Sequence, residues 1–323
     1  MKAGQIKGIL EKARNSRILV VGDAMIDAYD FCYTKHSRPS PERPDTRIYT
    51  AHRLERMLGG AGNVAANLAS LGVETTFVSI CGDDGNVLEV RRLCDNADVR
   101  YRLIQDGSRP TTIKTRLYID DQYVLRRDDE QTHKVSSEVA EEICRELRQV
   151  IDHVDAVILS DYNKGLFTPE NAQAIIALCR ERAIPVVVDL KPPNAAIFSN
   201  ATVVAPNLKE ACEISSEFDP YQKESSLRKI HDLLGAENAV VTLGAEGMLV
   251  YDGETAEHVP GRKVEAVDPC GCGDTVRACL TLGLVAGLNL VDAAGFANFA
   301  ASLAVQRLGT VTLSPNDLLK ETM

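Results

Sequence analysis

Short apolar runs that end in polar residues recur along the chain. They are "RILVVGDAMID" (17–27), "AVILSDY" (156–162), "PVVVDLK" (185–191), "ATVVAPN" (201–207) and "AVVTLGAEG" (239–247). A continuous apolar run of this length reads as a strand buried on both faces, the signature of a parallel sheet. Amphipathic helical periodicity lies between the runs, over 136–151, 169–182 and from 208 to about 214. Strands alternating with helices predict a doubly wound α/β sheet, with polar groups delivered to its ligand-binding carboxyl edge. Two segments break the rhythm. Residues 28–57 are rich in Tyr, Thr, Arg and Pro, and residues 99–128 alternate polar and apolar around a turn at Asp120–Asp121. Alternation of this kind predicts antiparallel strands, and together the segments predict a small β lid on a single α/β domain spanning residues 1–323. The first seventeen residues read as a polar amphipathic helix.

Composition narrows the partners. The net charge is −10, Trp is absent and aromatics make up 5% of the chain. A long-range positive field and stacking platforms are therefore missing, which argues against nucleic acid or an anionic membrane surface as partner. No apolar run approaches the roughly 18 residues a membrane span needs. The nine cysteines are odd in number and scattered, and nothing at the start resembles a secretion signal. The expectation is a cytoplasmic protein with reduced thiols.

Two glycine stretches carry the chemistry. "GGAGNVAANLASLG" begins at Gly59 and "DPCGCGDTVRACLTLGLVAGL" at Asp268. In the second, Gly271 and Gly273 precede a helix that begins near Asp274. Free backbone N–H groups at a helix start form an anion hole, and Asp274 stands at its mouth. A carboxylate there is placed to accept a proton from an attacking hydroxyl, the pairing that phosphoryl transfer requires. Asp274 also fits the plain role of helix N-cap, and the two roles can coexist. Cys270 and Cys272 lack partner ligands at metal spacing and are not the usual C-x-x-C redox pair.

These residues resemble the ribokinase-like (PfkB) family of carbohydrate kinases. Its Gly-Gly-x-x-Asn motif matches 59–63, its Asn-x-x-Glu matches 207–210 and its Gly-x-Gly-Asp matches 271–274. Finer features, "SRPSPERP" (37–44), "SDYNKG" (160–165), "DLKPPN" (189–194) and "QYVLRRDDE" (122–130), are similar to the branch that phosphorylates D-glycero-β-D-manno-heptose 7-phosphate in lipopolysaccharide precursor synthesis. That branch has members with a second, nucleotidyltransferase domain, and a chain ending at Met323 would be the kinase alone. The sequence departs from the family pattern at Pro269 and at Cys272, which stands where the family places Ala.

The resemblance implies a ribokinase-like three-layer fold and ATP-dependent phosphorylation at the sugar's C1 hydroxyl. It implies Asp274 as base and Gly271, Cys272 and Gly273 around the transferred phosphoryl group. Asp23, Asp27, Arg38, Gly59, Gly60, Asn63, Gln122, Arg126, Asp161 and Lys164 would hold the sugar, with Arg116 among the cations for its phosphate. Lys191, Thr242, Gly244, Gly247 and Asn298 would hold ATP. Asn207 and Glu210 would hold Mg²⁺ through water, and a monovalent cation such as K⁺ is admitted. The lid itself suggests a homodimer formed through it, since an exposed small sheet tends to seek a partner. Another sugar or nucleoside kinase of the same family, or a non-catalytic sugar-binding protein on this fold, remains open at this point.

Overall fold

The structure is a computed structural model that describes residues 1–321. Its strands are β1 (Arg17–Gly22), β2 (Ala24–Cys32), β3 (Arg38–Pro39), β4 (Arg47–Ile48), β5 (Ala51–Gly60), β6 (Glu74–Gly82), β7 (Arg100–Asp106), β8 (Thr112–Ile119), β9 (Gln122–Asp129), β10 (Ala156–Ser160), β11 (Val186–Asp189), β12 (Val203–Val204), β13 (Asn238–Thr242), β14 (Gly247–Tyr251) and β15 (Ala256–Pro260). Its helices are α1 (Ala3–Ala13), α2 (Ala61–Ser70), α3 (Asn86–Asn96), α4 (Ser137–Arg148), α5 (Pro169–Glu181), α6 (Leu208–Ile214), α7 (Lys223–Leu234), α8 (Cys272–Val285), α9 (Leu290–Ala304) and α10 (Pro315–Lys320).

The large sheet runs β7-β6-β1-β10-β11-β12-β13-β14-β15, parallel from β7 to β13 and antiparallel over its last two strands. Its strands are apolar on both faces because both faces are covered. In β1, Ile18 and Val20 enter the core shared with α1, α2, α8 and α9, while Leu19 and Val21 enter the core shared with α4, α5 and α7. The result is the three-layer α/β arrangement expected from the alternation.

A second sheet, β5-β2-β8-β9, stands on the carboxyl edge of the first. The chain passes from β1 into β2 through the single residue Asp23, and returns from β5 into α2 at Gly60–Ala61. The Ala61 N–H donates to the Asp23 carbonyl at 3.2 Å, so both crossings are tied together. One boundary of the expected lid differs. Residues 100–106 form β7 and pair parallel with β6 at the edge of the large sheet. An edge strand with one solvated side alternates polar and apolar just as a lid strand does, so the pattern could not separate them. The lid hairpin is β8–β9, and β2 and β5 extend the other lid segment to Ala24 and Gly60. Buried Arg109, between β7 and β8, donates to Asp106 at 2.6 Å, the Lys164 carbonyl at 2.6 Å and the His133 carbonyl at 2.9 Å, which anchors the lid's foot.

The β8–β9 hairpin turns at Asp120 and Asp121, both with positive φ (48° and 63°). This two-residue turn matches strand twist but favours glycine. Asp120 has a compensating role, since its carboxylate accepts the Thr34 N–H at 3.0 Å; Asp121 has no such bond. Asp121→Gly is expected to stabilise the hairpin by about 0.5–1 kcal/mol, seen as slower amide exchange over β8 and β9. Asp120→Gly, which forfeits its bond to Thr34, should show no such gain.

Candidate active site

Helix α8 begins at the carboxyl edge of the large sheet, directly under the lid. Gly271 occupies its N-cap with φ of 77°, and Asp274 sits in its first turn, 4% exposed. The carboxylate faces two donors from distant segments. Asn63 Nδ2, in the first turn of α2, donates to Oδ2 at 2.7 Å. The Tyr162 hydroxyl, in the loop after β10, donates to Oδ1. Burial pushes the Asp274 pKa up to about 6, against the pull of both hydrogen bonds. A base poised just below neutral is ionised at pH 7 and still basic enough to take a proton. The carboxylate is engaged by Asn63 and Tyr162 rather than by the N–H groups of its own helix start.

Asp23, at the β1–β2 crossing, is 1% exposed. Its Oδ2 accepts the N–H groups of Tyr162 at 2.7 Å and Lys164 at 3.2 Å, while Oδ1 is buried with no partner. Burial, with Asp161 nearby, raises its pKa to about 6. A buried acceptor without a donor is costly, and a ligand hydroxyl would relieve it. Asp27 lies further up β2, in register with Met57 on β5, with its carboxylate beside Gly59. A Cβ at Gly59 would lie 2.5 Å from Asp27 Oδ2, so only glycine fits there. Asp27 accepts from Arg116 on β8 at 2.5 Å, and Arg116 also reaches the Cys270 thiol at 3.7 Å.

The lid face above these carboxylates is basic. Lys114 on β8 pairs in register with Asp27 and Asp128. Burial and the neighbouring Lys164 lower its pKa. Lys164 itself bonds Glu130 at 2.7 Å, and Arg126 bonds Asp128 at 2.8 Å. Arg116 and Arg126 are cross-strand neighbours.

Other residues that the sequence assigned to the sugar lie elsewhere or are committed. Asp161 is fully buried and has both oxygens committed, accepting from Asn163 N–H on its own loop at 2.8 Å and from Asn194 Nδ2 in the segment after β11 at 2.8 Å. Arg38 is exposed on the small β3–β4 hairpin. Gln122 is exposed at the lid tip, opposite Ile119; five positions beyond Lys114, that is about 16 Å along the strand. The lid twist and hairpin length, not visible in a motif, set these distances.

Toward β11–β13 the edge carries a chain of charges. Lys191 bonds Glu210 at 2.5 Å and lies 5.3 Å above the Tyr162 ring. Asn207 and Glu210 cap α6 reciprocally, with Asn207 N–H to Glu210 Oε2 at 2.8 Å and Glu210 N–H to Asn207 Oδ1 at 3.0 Å. The Asn-x-x-Glu motif is thus a capping box first. Its carboxylate is already neutralised by Lys191, so the pair suits a hydrated Mg²⁺ reached through water rather than one ligated directly. Asn207 bridges to Thr242 at the end of β13. Gly244 and Gly247 follow with φ of 61° and 95°. Asn298 on α9 spends its amide on the Pro260 carbonyl at 2.8 Å. One residue absent from the sequence reading is central: Arg277 on α8, 4% exposed, bonds Asp189 at 2.7 Å and the Ala205 carbonyl at 2.7 Å. Its signal was a lone charge inside the apolar run 275–285, which demands a buried partner. Tyr162 and Lys114 were also missed, though Tyr162 lies inside a quoted motif.

Among the described residues no group of three or more His, Cys, Asp or Glu is placed to hold a metal ion. Burial pushes the Cys272 pKa up to about 12 and raises that of Cys270, which leaves both as weak nucleophiles.

The raised pKa of Asp274 has a consequence for stability. A carboxyl whose folded pKa lies above its unfolded value contributes stability below about pH 4, and the contribution is lost as pH rises through 6. Two units correspond to about 3 kcal/mol. Asp274→Asn is therefore expected to gain stability relative to the parent between pH 4 and pH 7.5, by chemical denaturation at each pH. A pH-independent difference would contradict the burial cost.

Comparison with known proteins agrees with this geometry. The model of the pfkB family carbohydrate kinases matches residues 15–317. The bifunctional protein HldE of Pelobacter propionicus is 36% identical over 324 residues, covering 99% of this chain and 66% of that protein. The HldE of Bradyrhizobium diazoefficiens is 39% identical over 312 residues, covering 95% and 63%. The chain thus spans slightly under two thirds of these relatives. Among solved structures, phosphofructokinase-2 of Escherichia coli, in complex with potassium, superposes with a TM-score of 0.74 at 20% identity, covering 95% of this chain and 97% of that one. A carbohydrate kinase from Agrobacterium tumefaciens gives 0.73 at 20%, covering 94% and 95%. The chain belongs to the pfkB family of carbohydrate kinases and is an ATP-dependent sugar kinase.

Proposed function

We propose that this enzyme transfers the γ-phosphoryl group of ATP to the anomeric hydroxyl of D-glycero-β-D-manno-heptose 7-phosphate. The observation that carries the reaction is the buried Asp274 carboxylate at the α8 N-terminus, beside the unpartnered Oδ1 of Asp23. Asp23 and Asp27 orient the sugar by accepting its hydroxyls. The attacking hydroxyl gives its proton to Asp274 as its oxygen bonds the γ-phosphorus. The bond from that phosphorus to the β,γ-bridging oxygen breaks, and its electron pair leaves on ADP. Amides at Gly271 and Gly273 receive the charge on the phosphoryl oxygens. Asn207 and Glu210 would hold Mg²⁺ through water, and the ion would offset the charge of the triphosphate.

The basic lid face supports a phosphorylated sugar over a neutral one. Burial, and after it the neighbouring Lys164, lowers the Lys114 pKa, and a dianionic phosphate between the two ammonium groups would favour their charged forms. The similarity to HldE proteins supports the heptose. No described helix is long and apolar enough to cross a membrane, and a pool of sugar phosphates is a cytoplasmic one.

The lid's outer face supports a homodimer. Leu54, Asp30, Leu117 and Leu125 stand in one cross-strand row, with Leu54 60% and Leu125 48% exposed. Leucines flanking the Asp30–Arg56 ion pair on the face of a small sheet fit a second copy.

Three outcomes are expected. With heptose 7-phosphate and ATP, phosphorus NMR should show a new anomeric phosphate; turnover only of a free hexose or a nucleoside would remove the substrate reading. Asp274→Asn should lower kcat by about 10²–10⁴ while ATP affinity holds, and the parent's kcat/KM should rise with pH through about 6. Leu54→Glu with Leu125→Glu should shift sedimentation from dimer to monomer; a parent already monomeric at micromolar concentration would overturn the dimer.

A further inference from the structure

Arg277 has more donors than partners. Both of its hydrogen bonds leave from Nη2, to Asp189 Oδ1 and the Ala205 carbonyl. Its Nε is buried with no partner, and Nη1 makes no hydrogen bond. A guanidinium carries five N–H donors, and each one left unmade in the interior costs about 1–3 kcal/mol. A residue held only to neutralise Asp189 would not be packed with three donors idle.

The idle side faces the anion hole. Helical side chains tilt toward the helix N-terminus, so Arg277 reaches back one turn along α8. Its Nη1 comes so near Gly273 that a Cβ there would lie 2.6 Å from it. Glycine at 273 thus does two things: it opens the backbone to a ligand, and it leaves room for the guanidinium. Around that head stand Asp189, Glu210, Tyr162 and Asp274, whose charges or hydroxyl all act on it. The cation is fixed from behind by Asp189 on β11 and by the backbone after β12, with nothing fixing it in front.

We propose that Arg277 is a catalytic residue of the phosphoryl-transfer site: Nη1, beside the Gly273 amide, donates to an oxygen of the γ-phosphoryl group of ATP. This rests on the kinase reading of the site but not on the identity of the sugar. Arg277 forms and breaks no covalent bond. It holds the γ-phosphoryl oxygens while the β,γ-bridging bond breaks, and it adds a charge-assisted donor to the neutral amides of the helix start. Asp189 keeps the planar head in one orientation, so the donor is in place before ATP arrives.

The contact predicts a preference for the third phosphate that needs no sugar to measure. Dissociation constants for ADP and for β,γ-methylene-ATP, both with Mg²⁺, are compared by calorimetry in the parent, Arg277→Lys and Arg277→Met. Lysine keeps a charge for Asp189 but cannot also reach forward. In both variants the preference for the triphosphate over ADP should fall about tenfold or more, with ADP affinity nearly unchanged. An unaltered preference in either folded variant would overturn the proposal and leave Arg277 as a buttress for Asp189. If the methionine variant does not fold, the lysine variant decides. A parent that fails to phosphorylate heptose 7-phosphate yet shows the Arg277-dependent preference would sink the substrate assignment and leave this inference standing.

Discussion

Keeping the Asp274 carboxylate ionised away from water is the constraint around which the site is assembled. An isolated buried carboxyl protonates rather than hold its charge. Asp274 is held near pKa 6 by two side-chain donors, Asn63 and Tyr162, that come from 211 and 112 residues away. Those donors are in reach only if α2, the loop after β10 and α8 meet at one point. They meet because β1 and β10 are neighbours in the large sheet and their carboxyl ends deliver Asp23 and the 160–165 loop side by side. Asp23 then bonds the backbone of Tyr162 and fixes the loop that carries the tyrosine. The setting of Asp274, the proposed base, therefore depends on the parallel pairing of two strands, and the lid depends on the same place, since it springs from Asp23 and returns at Gly60.

Much of this was legible in the sequence. Apolar runs identified the strands of the large sheet because burial on both faces leaves no room for alternation. Gly271, Gly273 and Asp274 could be read because their spacing alone makes a helix start with a carboxylate on it. What stayed hidden depends on three-dimensional register. The strand 100–106 alternates like a lid strand but lies at the edge of the large sheet. Gln122 and Arg126 sit in one motif, yet Arg126 is opposite Arg116 while Gln122 is at the tip. Asp161 and Asn207 carry motif letters whose side chains are committed to other groups of the protein, Asp161 to Asn163 and Asn194 and Asn207 to the start of α6.

Arg277 and Tyr162 show a different limit. Both are defined by whom they face across the fold, and a spacing rule sees only neighbours along the chain. A single arginine in an apolar helix announces that a partner exists, but not that the partner is Asp189 or that three donors remain unused. The pairing becomes visible once β11 and α8 are known to touch.

The charge pattern explains how a chain of net −10 can handle polyanions. At rest the site neutralises itself: Arg116 with Asp27, Lys164 with Glu130, Arg126 with Asp128, Lys191 with Glu210 and Arg277 with Asp189. A phosphate entering such a site exchanges partners rather than meeting bare cations, so its attraction is partly offset by the carboxylates it displaces or shares. The offset is smallest where the cation has donors to spare, which singles out Arg277. It is larger where one ammonium faces one carboxylate, as at Lys164 and Lys191. Affinity for phosphate is therefore set less by the number of cations than by how many of their donors the protein has left unmade.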